Sequence, residues 1–128
     1  MTVIRVSAVV MRDGAGRVLN VRKRGTQMLM LPGGKPEPGE SPAETAAREF
    51  FEELGVPPDP DRLVFIGEFR APAANESGHE VLAHVFEHPY VSGVRASAEI
   101  DSLRWVEPTE RGADLAPLTT ERVFPAIT

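Results

Sequence analysis

The sequence predicts a mixed α/β sandwich folded as one domain over residues 1–128. Two observations carry that expectation. Short β-branched stretches bounded by Gly, Pro and Asp-Gly signals recur along the chain and read as strands. One segment, "SPAETAAREFFEELG", carries start and stop signals for a helix. Strands around one strong helix, with a weaker helical stretch at the end, are the pattern of a layered α/β domain. With 128 residues, 41% of them hydrophobic and 26% charged, the chain can bury one core and is too apolar for disorder.

In chain order, "VIRVSAVVM" reads as a strand, "RDGAGR" as a tight connection, and "VLNVRKR" as a second strand. The pair is expected to form a hairpin. Alternation then sends Arg22 and Arg24 to one face of the second strand and Lys23 to the other. After the loop "LPGGKPEPGE", Ser41 supplies an N-cap, Pro42 suits the first helical position, and Glu44 completes a capping box. Gly55 is a natural C′ residue and "VPPDP" blocks continuation, so the helix spans about residues 42–54. At ~100° per residue, Ala43, Ala47, Phe50, Phe51 and Leu54 share the side expected to face the core, and Glu49, Glu52 and Glu53 fan over another sector. "RLVFIGEFRA", "EVLAHVFEHPYV" and "SLRWVEP" read as three further strands, with "PAANESGH" as a polar loop. "TTERVF" predicts one or two helical turns before Pro125. There is no internal repeat, low-complexity tract or linker.

Several classes are excluded. Nothing approaches the ~18 consecutive apolar residues of a membrane span. The start "MTVIRVSAVVM" carries Arg5 inside its apolar run and lacks the layout of a signal peptide, so a cytoplasmic protein is expected. The absence of cysteine excludes disulfides, thiolate metal sites and cysteine nucleophiles. A net charge of −5 argues against a nucleic-acid polymer as partner. The charge is uneven, however: residues 1–36 hold seven bases and one acid, the rest seven bases and eighteen acids. A basic N-terminal quarter can attract an anion locally.

The crowding of Glu49, Glu52 and Glu53 at one end of the helix calls for a cause. Glu49/Glu53 and Glu49/Glu52 are like-charge neighbours one turn apart, each pair costing a few tenths of a kcal/mol. Glu52 and Glu53 also occupy the last turn, where the helix dipole disfavours anions. A solvated acidic face partly neutralised by Arg48 is one explanation. A divalent cation is another, and hard oxygen donors select Mg²⁺, or Mn²⁺, over zinc.

The surroundings of the three carboxylates resemble the Nudix box, G-x5-E-x7-R-E-U-x-E-E-x-G-U with U apolar. Gly34, Glu40, Arg48, Glu49, Phe50, Glu52, Glu53, Gly55 and Val56 fill every specified position. At ~7% usage per residue type, seven fixed identities at fixed spacing arise by chance on the order of 10⁻⁸ per start site. The resemblance implies a Nudix α/β/α sandwich with residues 42–54 as its catalytic helix. It also implies a Mg²⁺-dependent hydrolase of a nucleoside diphosphate linked to another moiety, working on a small nucleotide-type molecule as monomer or homodimer.

By the same resemblance, Glu52 and Glu53 match metal ligands, and Glu49 either ligates metal or takes the proton from water. Arg48 would fix a catalytic carboxylate by a salt bridge, because it cannot act as a base. Glu40 completes the box from further out. Gly33 would aim a backbone carbonyl at the metal, its freedom and that of Gly34 allowing a sharp turn. A further carboxylate outside the box is expected at Glu99, with Glu76 and Glu80 as competitors. Arg22, Arg24 and Lys35 are candidates for the substrate's phosphates. Phe69, Phe86 and Trp105 read as core residues before they read as stacking platforms, and His79, His84 and His88 share no metal-ligand spacing. The small size is most similar to the MutT-like group, which hydrolyses (d)NTPs, including oxidised ones. An ADP-ribose or sugar-nucleotide pyrophosphatase is the alternative, with Pro72 as its sequence hint. A nucleotide sensor without catalysis is the alternative from another class, and the complete box argues against it.

Overall fold

The computed structural model describes residues 2–128. Along the chain run β1 (Thr2–Met11), β2 (Val18–Lys23), β3 (Gly33–Gly34), α1 (Pro42–Leu54), β4 (Val64–Pro72), β5 (His79–His88), β6 (Ile100–Val106) and α2 (Phe124–Ile127). A 3-10 turn, Pro60–Arg62, precedes β4, and a π-helical run, Leu118–Val123, leads into α2. The main sheet has the order β3-β1-β5-β4, and β2 pairs with β6 in a second, two-stranded sheet. It is a mixed sheet, because β1 runs parallel to β5 and the other pairings are antiparallel.

Alternation along β1 divides the interior in two. Ala8 and Val10 join Val85, Leu118, Val123 and Phe124 in one apolar cluster, on the side of the C-terminal helices. Val9 and Met11 point the other way, to Phe50 and Leu54 of α1. The sheet is therefore sandwiched between helices, as the strand and helix pattern implied.

The expected hairpin of β1 and β2 does not form. The tight turn is present, with Asp13 N–H bonded to the Arg17 carbonyl at 2.9 Å and Gly16 at φ 82°. It closes only the single bridge Arg12↔Val18. Further along β1 both edges are taken: β5 pairs along the whole strand, and Pro32, Gly33 and Gly34 bond the other side. β2 therefore leaves to pair with β6.

α1 spans the expected residues and carries the expected caps: the reciprocal Ser41/Glu44 box and Gly55 at φ 73° with its N–H on the Phe51 carbonyl. Its buried face differs from the expected one. Thr45, Ala46, Phe50, Glu53 and Leu54 are buried, whereas Phe51 is exposed. The face is rotated by roughly a quarter turn from the apolar one, where β3 approaches the helix with two glycines and offers the Gly33 N–H to Glu53. The C-terminal helix also departs from expectation, running through Pro125 to Ile127. Pro125 sits just past the junction with the π-helical run, where the Phe124 N–H bonds the Thr119 carbonyl.

Candidate active site

The site is built on the close approach of α1 and β3. Gly33 and Gly34 pair with Ala8 and Ser7 at the sheet edge. A Cβ on Gly33 would overlap the Ser7 carbonyl, and one on Gly34 would overlap the Glu49 carboxylate. Gly33 is therefore glycine for want of space against the backbone of β1, whereas at Gly34 the neighbour is the movable end of the Glu49 side chain. The contact brings Gly33 N–H to Glu53 Oε1 at 3.0 Å.

Arg48 organises the acidic residues around it. Its Nε lies 2.6 Å from Glu40 Oε2 and 3.3 Å from Glu37 Oε1, and its Nη1 lies 2.8 Å from Glu49 and 3.2 Å from Glu52. Nη2 donates to the Lys35 carbonyl at 3.0 Å and to Glu40 Oε1 at 3.0 Å. The guanidinium holds Glu40 well below the usual carboxylate range, at about 2. Three further contacts hold the loop before α1 around that ion pair. Glu37 N–H donates to Glu40 Oε1 at 2.8 Å, Thr45 Oγ1 to the same oxygen at 2.9 Å, and Glu40 N–H to the Glu37 carbonyl at 3.0 Å.

The three carboxylates of the helix end sit in three environments. Glu52 is exposed and, among the described residues, is held only by Arg48. Glu49 is half-buried; burial raises its pKa against the opposing pull of Arg48. Glu53 is 2% exposed, and burial pushes it up to about 8, opposed by the Gly33 N–H and by Lys23. Its second oxygen, Oε2, is buried with no partner among the described residues.

A cavity of about 520 Å³ opens beside these groups. Charged residues in its wall include Lys23, Lys35, Arg48, Glu49 and Glu99. Apolar residues in the same wall include Ile4, Val6, Leu31, Val81 and Leu118. Thr119 also lines the cavity, and its buried hydroxyl has no partner among the described residues. A shallower recess of about 470 Å³, with Thr26, Gln27, Asn75 and Ser77, shares the segment Ala73–Glu76 with the cavity.

The structure brings together Gly33, Gly34, Glu40, Arg48, Glu49, Glu52 and Glu53 around one guanidinium and one sheet edge, with Lys35 and Glu99 on the wall of the cavity. Gly55 caps the far end of α1. Glu99 lies 3.6 Å from Lys23 Nζ. Glu76 lines the cavity, whereas Glu80 is drawn to Arg70 at 3.3 Å. Arg22 and Arg24 do not line the cavity. Arg22 pairs with Asp101 at 3.1 Å, and Arg24 lies past the end of β2, its N–H on the Glu99 carbonyl. Lys23 stands where those arginines were expected. A signal for it existed: Leu19 and Val21 face α1, and Lys23 continues that alternation. Phe69, Phe86 and Trp105 belong to the cores. His88 is buried and accepts from the Asp59 N–H at 2.9 Å, His84 pairs with Glu68, and His79 bonds the Ser77 carbonyl.

Among the described residues no three His, Asp or Glu side chains converge as a preformed metal cage, because Arg48 draws Glu49 and Glu52 to itself. The chemistry of the donors nonetheless fits a hard divalent cation. They are carboxylates, one of them buried with an orphaned oxygen, beside a glycine edge that leaves room for a second. Among the described residues no helix is long and apolar enough to cross a membrane.

Comparison with known proteins agrees with this geometry. The chain is 35% identical to the isopentenyl-diphosphate Delta-isomerase of Nocardia farcinica, over 88% of this chain and 68% of that one. It is 31% identical to the CTP pyrophosphohydrolase of Escherichia coli, over 82% and 76%. The crystal structure of a MutT NUDIX hydrolase from Burkholderia pseudomallei superposes with a TM-score of 0.81 at 19% identity, covering 100% of both chains. The model of the NUDIX domain matches residues 1–126. A filled box on a capped helix, an α/β sandwich and a match along nearly the whole chain together establish that this protein belongs to the NUDIX family, as a MutT-like pyrophosphohydrolase of phosphorus-containing anhydrides.

Proposed function

We propose that the chain, as one domain over residues 1–128, hydrolyses a nucleoside triphosphate, ordinary or oxidised, in a reaction dependent on Mg²⁺. The observation that carries this reading is a single cavity whose wall holds both charged and apolar side chains. A polyphosphate needs the first and a flat base the second. The CTP pyrophosphohydrolase among the relatives supports a nucleoside triphosphate.

Glu52 and Glu53, with the Gly33 backbone, would hold the cation. Bound there, Mg²⁺ would neutralise charge on the bridging phosphate oxygens and orient water for in-line attack. Lys23 and Lys35 bind the phosphates from the cavity wall. Glu49, the one box carboxylate of the helix end that lines the cavity, accepts the proton of the attacking water. Arg48 keeps that carboxylate aimed through the 2.8 Å contact, and Glu40 in turn anchors Arg48 at 2.6 Å. Glu99, beside Lys23 on the cavity wall, would supply a further carboxylate to the cation. Ile4, Val6 and Leu118 exclude water around the base, and the Thr119 hydroxyl, lacking a partner, offers it a hydrogen bond.

A second reading, a sugar-nucleotide or ADP-ribose pyrophosphatase, is favoured by one observation. The recess of Thr26, Gln27, Asn75 and Ser77 adjoins the cavity and is rich in groups that pair with hydroxyls. One panel separates the two: (d)NTPs, oxidised dGTP, ADP-ribose, UDP-sugars and isopentenyl diphosphate, each with Mg²⁺. Release of pyrophosphate from a triphosphate supports the first reading. Turnover confined to diphosphate-linked sugars supports the second, and nucleotide binding without turnover of any compound overturns both.

A further inference from the structure

The chain between β5 and β6 is tied to the C-terminal end of α1. α1 ends with two carboxylates and no basic side chain in its last turn, so its carbonyls and charges need help from elsewhere. That help comes from residues 95–97. Arg95 N–H donates to the Leu54 carbonyl and Ser97 N–H to the Glu53 carbonyl, both at 3.0 Å. The Arg95 guanidinium lies flat against Gly55, where a Cβ would come within 2.8 Å of Cζ. Gly55 is thus constrained twice, by its φ of 73° and by the arginine covering it. Val91 and Val94 press into the cluster of Phe50 and Leu54. Beyond Ser97 the chain makes a tight turn, Ile100 N–H to the Ser97 carbonyl at 3.0 Å, with Ala98 held at φ 52°. A non-glycine residue in that region is retained only where its surroundings enforce it. The residue this turn delivers to the cavity is Glu99.

We propose that Arg95 is a positioning residue. It places a positive charge at the anionic end of α1 and clamps the connection onto the helix, so that Glu99 and Glu53 reach the cation site in fixed register. The proposal rests on the reading of Glu53 and Glu99 as cation-site residues. Arg95 itself touches neither substrate nor cation. Sequence alone hides it, because nothing in "VSGVRASAE" links Arg95 to Gly55.

The test uses the full chain with Arg95→Ala, Arg95→Lys and Glu99→Gln. It measures Mn²⁺ affinity by isothermal titration, kcat and KM for the preferred substrate, and urea unfolding in EDTA. Arg95→Ala is expected to weaken Mn²⁺ binding and lower kcat, each about tenfold, with KM unchanged within twofold. Arg95→Lys should recover most of the Mn²⁺ affinity, because the charge returns even though the flat stack does not. Should the alanine variant not fold, Arg95→Met keeps the apolar stem and carries the same expectation. If wild type binds no Mn²⁺, or Glu99→Gln leaves affinity and kcat intact, the underlying reading of the site fails and the proposal with it. If Glu99→Gln is impaired while Arg95→Ala keeps wild-type affinity and kcat, even with lower stability, Arg95 only braces the fold and the proposal alone is overturned.

Discussion

Replacing Glu53 by glutamine should stabilise the metal-free protein, and by an amount that depends on pH. Glu53 is 2% exposed, and its pKa stands at about 8 in the fold against 4.5 in an ordinary carboxylate. The folded chain therefore holds a proton that the unfolded chain releases above pH 4.5. Stability from this group is complete below pH 4.5 and is lost as pH rises through 8. At 1.36 kcal/mol per pH unit, the loss is about 3 kcal/mol by pH 7 and approaches about 5 kcal/mol above pH 8 as an upper bound. Glutamine keeps the acceptor for Gly33 N–H, presents an amide where Oε2 has no partner, and cannot ionise.

The assay is urea unfolding in EDTA from pH 5 to 9. Wild type should lose several kcal/mol over that range relative to Glu53→Gln, and saturating Mg²⁺ at pH 8 should restore wild type but not the variant. Glu40 does not confuse the comparison. Its pKa is lowered by Arg48 to about 2, so its contribution is present above pH 4.5 and fades only as pH falls toward 2. Parallel stability profiles for wild type and variant between pH 5 and 9 would refute the claim that Glu53 is a charge forced into the interior.

Four further outcomes follow from the same geometry. Gly34→Ala should leave α1 folded but push the Glu49 carboxylate aside, lowering kcat at least tenfold with far-UV dichroism unchanged. Lys23→Ala should raise KM more than it lowers kcat, and Arg22→Ala should change KM by less than twofold, since only Lys23 lines the cavity; steady-state kinetics decides between them. Phe50→Ala should cost about 3–5 kcal/mol in urea unfolding, whereas Phe51→Ser on the exposed face should cost less than ~0.5 kcal/mol. At pH 7, Mn²⁺ binding should release close to one proton, because Glu53 must ionise to ligate; titration enthalpies in buffers of different ionisation heat would show it, and buffer-independent enthalpies would argue against it.

What the sequence could show, and what it could not, divides along a physical line. The limits of α1 were legible because capping is local: Ser41, Pro42, Glu44 and Gly55 act within a turn of their own positions. The box was legible because its chemistry fixes residue types at fixed spacing. The buried face of α1 was not. Phe50 and Phe51 are equally apolar, and Glu53 turns inward and Phe51 outward where Gly33 and Gly34 approach the helix. The partner of β2 was equally hidden, because an Asp-Gly turn signals a reversal but not which strand will have a free edge. Lys23 was within reach, since the Leu19–Val21 alternation points it toward α1. Thr119 and Arg95 were not, because each acts through a contact far away along the chain.

The crowded carboxylates of α1 are tolerated by three separate devices even before any cation is considered. Arg48 takes the charge of Glu49 and Glu52, burial keeps Glu53 protonated near neutral pH, and the amides of residues 55, 95 and 97 serve the last carbonyls of the helix. Each device holds the same groups that a dication would use. The cation must then compete with a guanidinium and a proton, which weakens its binding at low pH and when substrate is absent. Under the proposed function a triphosphate would alter that balance, because its oxygens would bring further ligands while Lys23 and Lys35 on the cavity wall would hold it in place. On this argument metal and substrate bind with positive coupling, each lowering the cost of ordering the carboxylates for the other. The guanidinium and the proton that quiet the repulsion written into "REFFEEL" would thus weaken the resting site for a cation and make its assembly depend on the molecule to be cleaved.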